Sequence, residues 1–143
     1  MLFMKHDCKT LIIHCIDFRF GEAIKNYLKE NQMLGDCDIV SVAGAAKNIA
    51  DPKLESDKEF ILRQIDISES LHHIKELILM NHEDCGGYGG RKAFASYDEE
   101  KARLTDDMKK AAEIIKEKYQ DIRVRTVLAK IDEDGIVSFE KAE

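Results

Sequence analysis

The sequence predicts an α/β fold, a three-layer sandwich with a mostly parallel central sheet and an antiparallel C-terminal edge hairpin. Three observations predict it. Short β-branched apolar runs alternate with longer segments of helical spacing. The last two such runs are separated only by Asp132-Glu133-Asp134-Gly135, a turn that folds them back on each other. The 143 residues, 44% of them hydrophobic, suit one domain spanning residues 1–143 with its own core.

Lys9 to Cys15 reads as a central strand. Gly21 to Leu34 carries Ala23, Ile24, Tyr27, Leu28 and Leu34 at helical spacing, with Gly35 as a natural stop. Asp38 to Ala43 is a second strand ending at Gly44, and Ala45 to Leu54, with the only proline, reads as a loop holding at most one helical turn. Ser56-Asp57-Lys58-Glu59 fits a capping box. The helix it opens carries Phe60, Ile61, Gln64, Ile65, Ser68, Leu71 and His72 on or near one face. Glu76 to Asn81 is a third strand. Gly86 to Gly90 is a loop, because four glycines in five residues hold no regular structure. Thr105-Asp106-Asp107-Met108 starts a further helix with Met108, Ala111, Ala112, Ile115 and Tyr119 inside. Ile122 to Ile131 is a fourth strand and Ile136 to Phe139 a short edge strand.

In such sheets ligands bind at the carboxyl ends of strands, near a switch in strand order. Two clusters fall there: Cys15-Ile16-Asp17-Phe18-Arg19 and His82-Glu83-Asp84-Cys85-Gly86-Gly87. If the strand after the first helix is an outer one, the first and third strands are neighbours, and Cys15 approaches His82 and Cys85. Two thiolates and an imidazole suit zinc, whose catalytic sites keep three protein ligands and one open position. The competing reading is a set of buried free cysteines. Asp17 and Arg19 lie two and four residues beyond Cys15, so an extended segment aims all three to one side. Arg19 can grip the Asp17 carboxylate in a bidentate pair, and the alternative is a structural salt bridge. Two thiolates cancel the charge of the dication, so such a metal acidifies its water less than an all-histidine site does. A carboxylate fixed by an arginine supplies the missing acceptor.

Cys-x-Asp-x-Arg after the first strand and His-x-x-Cys-Gly-Gly after the third resemble the β-class carbonic anhydrases, and the resemblance covers most of the chain. It implies Cys15, His82 and Cys85 as zinc ligands, Asp17 and Arg19 as a catalytic dyad, and reversible hydration of carbon dioxide to bicarbonate by a metal-bound hydroxide. It also implies a homodimer or higher homo-oligomer. Gly44, Gly86 and Gly87 form the candidate substrate or anion loop. The chain departs from the family pattern at Phe18, where a small residue is usual, and at Ser41-Val42, where the family has Arg-Asn. Phe18 either crowds the pocket or gives it an apolar wall. Two alternatives follow: a zinc protein of the same fold without this activity or acting on carbon disulfide or carbonyl sulfide, and a metal-free anion- or nucleotide-binding domain using the glycine loop.

Other features bound the function. A net charge of -6 argues against a nucleic-acid surface. No apolar run approaches the ~20 residues of a membrane span. Met1-Leu2-Phe3-Met4 runs straight into Lys5, His6 and Asp7, which is no leader, so a cytoplasmic setting with four free thiols is expected. Cys8 and Cys37 have no partner pattern and read as strand-flanking thiols. His72-His73 is not expected to hold a metal, although His14, His72 and His73 are candidate proton shuttles. Asp98-Glu99-Glu100 reads as a solvated helix face.

Overall fold

The computed structural model describes residues 4–142, so Met1 to Phe3, on which the expectation about a leader rests, lie outside it. β1 (Thr10–His14) is followed by α1 (Gly21–Glu30) and β2 (Cys37–Ser41). The short α2 (Lys47–Ala50) and the long α3 (Glu55–His72) lead to β3 (Glu76–His82). α4 (Tyr97–Lys118), β4 (Arg123–Ile131) and β5 (Val137–Lys141) complete the chain. The sheet order is β2-β1-β3-β4-β5, parallel except for the antiparallel β4–β5 hairpin. No helix is long and apolar enough to cross a membrane among the described residues.

The layers follow from connection handedness. β1 to β2 steps outward, whereas β2 to β3 and β3 to β4 step the other way. Right-handed crossovers therefore put α1 on one face and α3 and α4 on the other. The packing obeys this. Ile12, Ile78, Met80, Val127 and Ala129 face Phe20, Ile24 and Leu28. Leu11, Ile13, Leu77, Leu79 and Leu128 face Ile61, Ile65, Leu104, Met108, Ala111 and Ile115. Successive strand residues serve opposite cores, so central strands covered on both sides read as unbroken apolar runs.

Three boundaries differ from the sequence reading. α1 stops at Glu30, because Gln32 takes φ 55° and Met33 and Leu34 both turn their N–H groups to Leu28 C=O at 2.8 and 3.2 Å. Leu34 is consequently half exposed rather than on the inner face. α3 begins at Glu55, and it is the Asp57 carboxylate that accepts an N–H, from Leu54 at 3.3 Å, while Ser56 and Glu59 lie inside the helix. Phe60 and Leu71 are exposed, and the buried face is Ile61, Ile65 and Ser68. α4 begins at Tyr97 rather than Thr105, capped by Ser96 Oγ accepting the Glu99 N–H at 3.1 Å. Its acidic first turn favours a helix N-terminus, and Glu100 in that turn is buried rather than solvated.

Asn81 pins the layers beside the end of β3. Buried, it accepts the Ala46 N–H at 3.1 Å and donates to Leu104 C=O at 3.0 Å and Tyr88 Oη at 3.2 Å. Asn81→Leu strands the Ala46 N–H in an apolar interior. We expect it to lower the unfolding free energy by about 1–3 kcal/mol in urea titrations; an unchanged midpoint would show that the amide bridges carry no stability.

Candidate metal centre

The parallel pairing of β1 with β3 delivers both clusters to one end of the sheet, at the point where strand order switches. Cys15 is the first residue after β1 and His82 the last of β3. Asp84 then takes φ 54°, a left-handed conformation unusual for a residue with a side chain, and the reversal turns Cys85 back toward His82. All three side chains are buried, and their ligand atoms lie within 4.8 Å of one another.

His82 carries the most informative atom. Its Nδ1 lies 2.7 Å from Glu83 C=O, so that nitrogen holds the proton and donates. Nε2 is left with a lone pair, and it is buried with no hydrogen-bond partner. An orphaned buried acceptor is costly and rare. The ring packs against Phe20 at 4.3 Å between centroids, which holds the lone pair in this direction.

The sulfurs of Cys15 and Cys85 are 4.0 Å apart. That is about twice the S–S bond of about 2.05 Å, so no disulfide joins them. Two thiolates on a tetrahedral zinc, each at about 2.3 Å, stand about 3.8 Å apart. The Cys15 thiol is held below the ordinary thiol range, first by its contact with the Cys85 sulfur and, against the cost of burial, by nearby backbone N–H groups. Cys85 is pushed up correspondingly, by donating to Cys15 and by burial. The lone pair, the sulfur spacing and the donor chemistry together fit a zinc ion.

Asp17 sits beside this set, with Oδ2 3.8 Å from His82 Nε2. Arg19 holds its carboxylate through Nε to Oδ1 at 3.1 Å and NH2 to Oδ2 at 2.7 Å, and the Arg19 N–H adds a bond to Oδ1 at 3.0 Å. The Arg19 hydrogen bonds lower the Asp17 pKa against a desolvation cost. The segment is not extended as the sequence reading supposed: Phe18–Phe20 is a turn of 3-10 helix capped by Asp17. The pair forms all the same, because the turn brings Arg19 back over Asp17. Phe18 points outward and is 89% exposed, so it does not crowd the centre within this chain. With Ile16 it forms an apolar rim on an open hollow of about 670 Å³ floored by Cys15, Asp17, Arg19 and Gly87.

A supporting network went unread in the sequence. Arg19 also donates to the Asp84 carboxylate at 3.0 Å and to Asp84 C=O at 2.9 Å. The Asp84 N–H goes to the buried Glu100 carboxylate at 2.8 Å, and Arg91 N–H goes to Asp84 Oδ1 at 2.8 Å. Arg91 bridges Glu100 at 3.2 Å and the buried Glu83 at 3.4 Å, and Glu83 accepts the Ile131 N–H at 3.1 Å. The strained residue is thus held from several sides. The available signal was two acids set between His82 and Cys85, where a simple loop needs none.

Of the three glycines, Gly44 and Gly87 approach each other closely. Gly44 has φ +81°. A Cβ on Gly87 would stand 2.9 Å from Gly44 Cα, whereas one on Gly86 would meet nothing within 4 Å. Gly86–Tyr88 is itself a turn of 3-10 helix. Val42 joins the first strand through its N–H to His14 C=O at 2.9 Å. Among the candidate shuttles, His14 borders Cys15 and His82, while His72 and His73 lie at the other end of the sheet.

Comparison with known proteins bears on this arrangement. A family model described as "Putative carbonic anhydrase" matches residues 4–137. An uncharacterized protein of Rickettsia bellii is 31% identical over 130 residues, covering 89% of this chain and 79% of that one. An uncharacterized protein of Rickettsia conorii is 30% identical over 135 residues, covering 92% and 72%. In three dimensions the chain resembles one of two tetrameric β-carbonic anhydrases from Sordaria macrospora, with a TM-score of 0.61 at 16% identity over 94% of this chain and 81% of that one. β-Carbonic anhydrase isoform I of Trichomonas vaginalis gives a TM-score of 0.61 at 17% identity over 97% and 87%. The fold is that of the β-carbonic anhydrases.

The glycine contact yields a paired test. Gly87→Ala forces the two loops apart and is expected to cost about 1–3 kcal/mol of stability. Gly86→Ala, with open space around it, should stay within about 0.5 kcal/mol. Equal denaturation midpoints for the two variants would show that the Gly44–Gly87 approach is not tight.

Proposed function

The chain belongs to the carbonic anhydrase family whose model spans residues 4–137, and we propose that it is a zinc enzyme that reversibly hydrates carbon dioxide to bicarbonate. Cys15, His82 and Cys85 hold the metal in this reading, and Asp17 and Arg19 are the catalytic pair. The observation that carries it is the buried, partnerless Nε2 of His82, facing two thiols too far apart for a disulfide. Bound zinc would supply a Lewis acid and an acidified water as nucleophile.

The remaining chemistry belongs to the chain. Asp17, held ionised by Arg19, is an acceptor and not a donor, and its Oδ2 lies 3.8 Å from His82 Nε2. It accepts a hydrogen bond from the attacking water and orients the oxygen lone pair toward the carbon. Arg19 spends two further N–H groups on Asp84, so the Asp17 carboxylate does not swing freely. Thiolate ligands offset the metal's charge, which makes a fixed acceptor more valuable than at a neutral-ligand site. Gly86 and Gly87 line the hollow without side chains, with Gly44 packed against Gly87, which leaves room for a small linear substrate.

The reading includes one domain over residues 1–143, a cytoplasmic location and a homodimer or higher homo-oligomer. Ile16 and Phe18, 62% and 89% exposed beside the centre, favour a second copy lying over the rim. The same apolar rim favours one further reading, hydrolysis of carbonyl sulfide or carbon disulfide at this centre.

Elemental analysis of protein purified without chelator is expected to give at least one zinc per chain, reduced by one in Cys85→Ser. Asp17→Asn should keep its zinc while losing about 10²-fold or more in hydration rate by stopped flow. Absence of hydration by zinc-loaded protein across pH about 6–9, a window bracketing the expected water ionisation, would refute the activity. Activity on carbonyl sulfide in the same sample would select the second reading.

A further inference from the structure

A second group of ligating side chains lies at the opposite end of the sheet. Cys8 precedes β1, Asp38 is in β2 and His72 closes α3. One ligand atom from each meets the other two within 4.8 Å. The sequence offered no sign of this, because the three residues come from segments about 30 positions apart. The parallel register sets Thr10 against Cys37, so the entries to β1 and β2 lie side by side. Cys8 N–H donates to His72 C=O at 3.0 Å, which ties the segment before β1 to the end of α3. His73, at φ 57°, turns the chain away immediately afterwards.

We propose that Cys8, Asp38 and His72 form a second metal site, for a borderline divalent cation such as zinc or cobalt(II). The donor set is one sulfur, one imidazole nitrogen and one carboxylate oxygen, each a zinc ligand type. Zinc bonds of about 2.0–2.3 Å put neighbouring donors about 3.2–3.7 Å apart. His72 Nδ1 and Asp38 Oδ2 are 2.7 Å apart in a hydrogen bond, so that edge must open by about half an ångström. Ser68, itself buried, donates to the same Asp38 oxygen at 2.6 Å and orients the carboxylate from behind, as outer-shell partners of metal ligands do. All three ligands are half-buried, so the group is within reach of solvent.

The local electrostatics favour a cation. The Cys8 thiol is held up by burial and then by the Asp38 charge. A divalent ion neutralises thiolate and carboxylate together, and binding releases the thiol proton. Bound metal would clip the segment before β1 to β2 and α3. Cys8 and Cys15 flank β1 at its two ends, roughly 20 Å apart at strand rise. The two sites are therefore independent.

The test uses reduced full-length protein, stripped with chelator, reloaded with zinc or cobalt(II) and counted by elemental analysis after gel filtration. Two equivalents are expected in the wild type and one each in C8S and in C15S/C85S. H72Q should weaken the affected equivalent at least tenfold. Cobalt(II) in C15S/C85S should show a thiolate charge-transfer band that C8S/C15S/C85S lacks. If C15S/C85S fails to fold, the wild type against C8S and H72Q still decides. A wild-type count that C8S and H72Q leave unchanged overturns the site. A single equivalent lost in C8S but kept in C85S would sustain this site and remove the first; the reverse pattern would remove this site alone.

Discussion

Five residues of β1 pair in parallel with β3, from Thr10 against Glu76 to His14 against Met80, and the candidate centre depends on that register. Parallel strands end on the same side, so Cys15 and His82 arrive together without any loop reaching across the molecule. A one-residue slip would turn Ile12 and Ile78 out of one core and into the other. Both faces of these strands are covered, and every residue of β3 is buried, so the register is held by packing on two sides at once. The centre thus inherits its precision from apolar contacts that have no chemical role.

Much of this was legible because the signals are local or periodic. The apolar runs gave the strands, and the outward step of the second strand gave the switch point that made Cys15, His82 and Cys85 neighbours. The residue types at those positions then motivated the metal proposal. What escaped depends on tertiary partners. Glu100 looks like solvated charge in sequence, and only the fold shows it buried against the Asp84 N–H. Leu34 fits helical spacing, but the chain leaves α1 earlier because Gln32 adopts a left-handed turn that spacing cannot register. Ser56 and Glu59 match a capping pattern that Asp57 fulfils one turn position away. Cys8, Asp38 and His72 share no motif at all. Their meeting requires knowing that the entries to β1 and β2 and the exit of α3 converge.

The strained Asp84 links the two halves of the centre energetically. A left-handed side-chain-bearing residue costs of order 1–3 kcal/mol. Its N–H on Glu100, its carboxylate under Arg91 and Arg19, and its carbonyl on Arg19 offset that cost. Because Arg19 makes two of those bonds, the guanidinium that fixes Asp17 is itself fixed by the turn that aims Cys85. Movement of either side chain would disturb the other.

That coupling answers a difficulty intrinsic to the donor set. Two thiolates and one imidazole hold zinc firmly but leave little net positive charge to acidify a water. In the proposed reaction the missing activation comes from geometry, through an acceptor that does not wander. An exposed Asp–Arg pair on a mobile loop would contribute little, since surface ion pairs are worth about 0–1 kcal/mol. Here the Asp17 side chain is mostly buried and its arginine is anchored at both ends of the fork. The unpaired Nε2 of His82 supports the proposal from the other direction. Left alone, a buried orphan acceptor costs about 1–3 kcal/mol, whereas a ligand bond to a cation turns that cost into affinity. A chain built only for stability would have met the lone pair with a hydroxyl or a backbone N–H. This one holds it buried, with the ring tilted against Phe20 and the lone pair near two sulfurs.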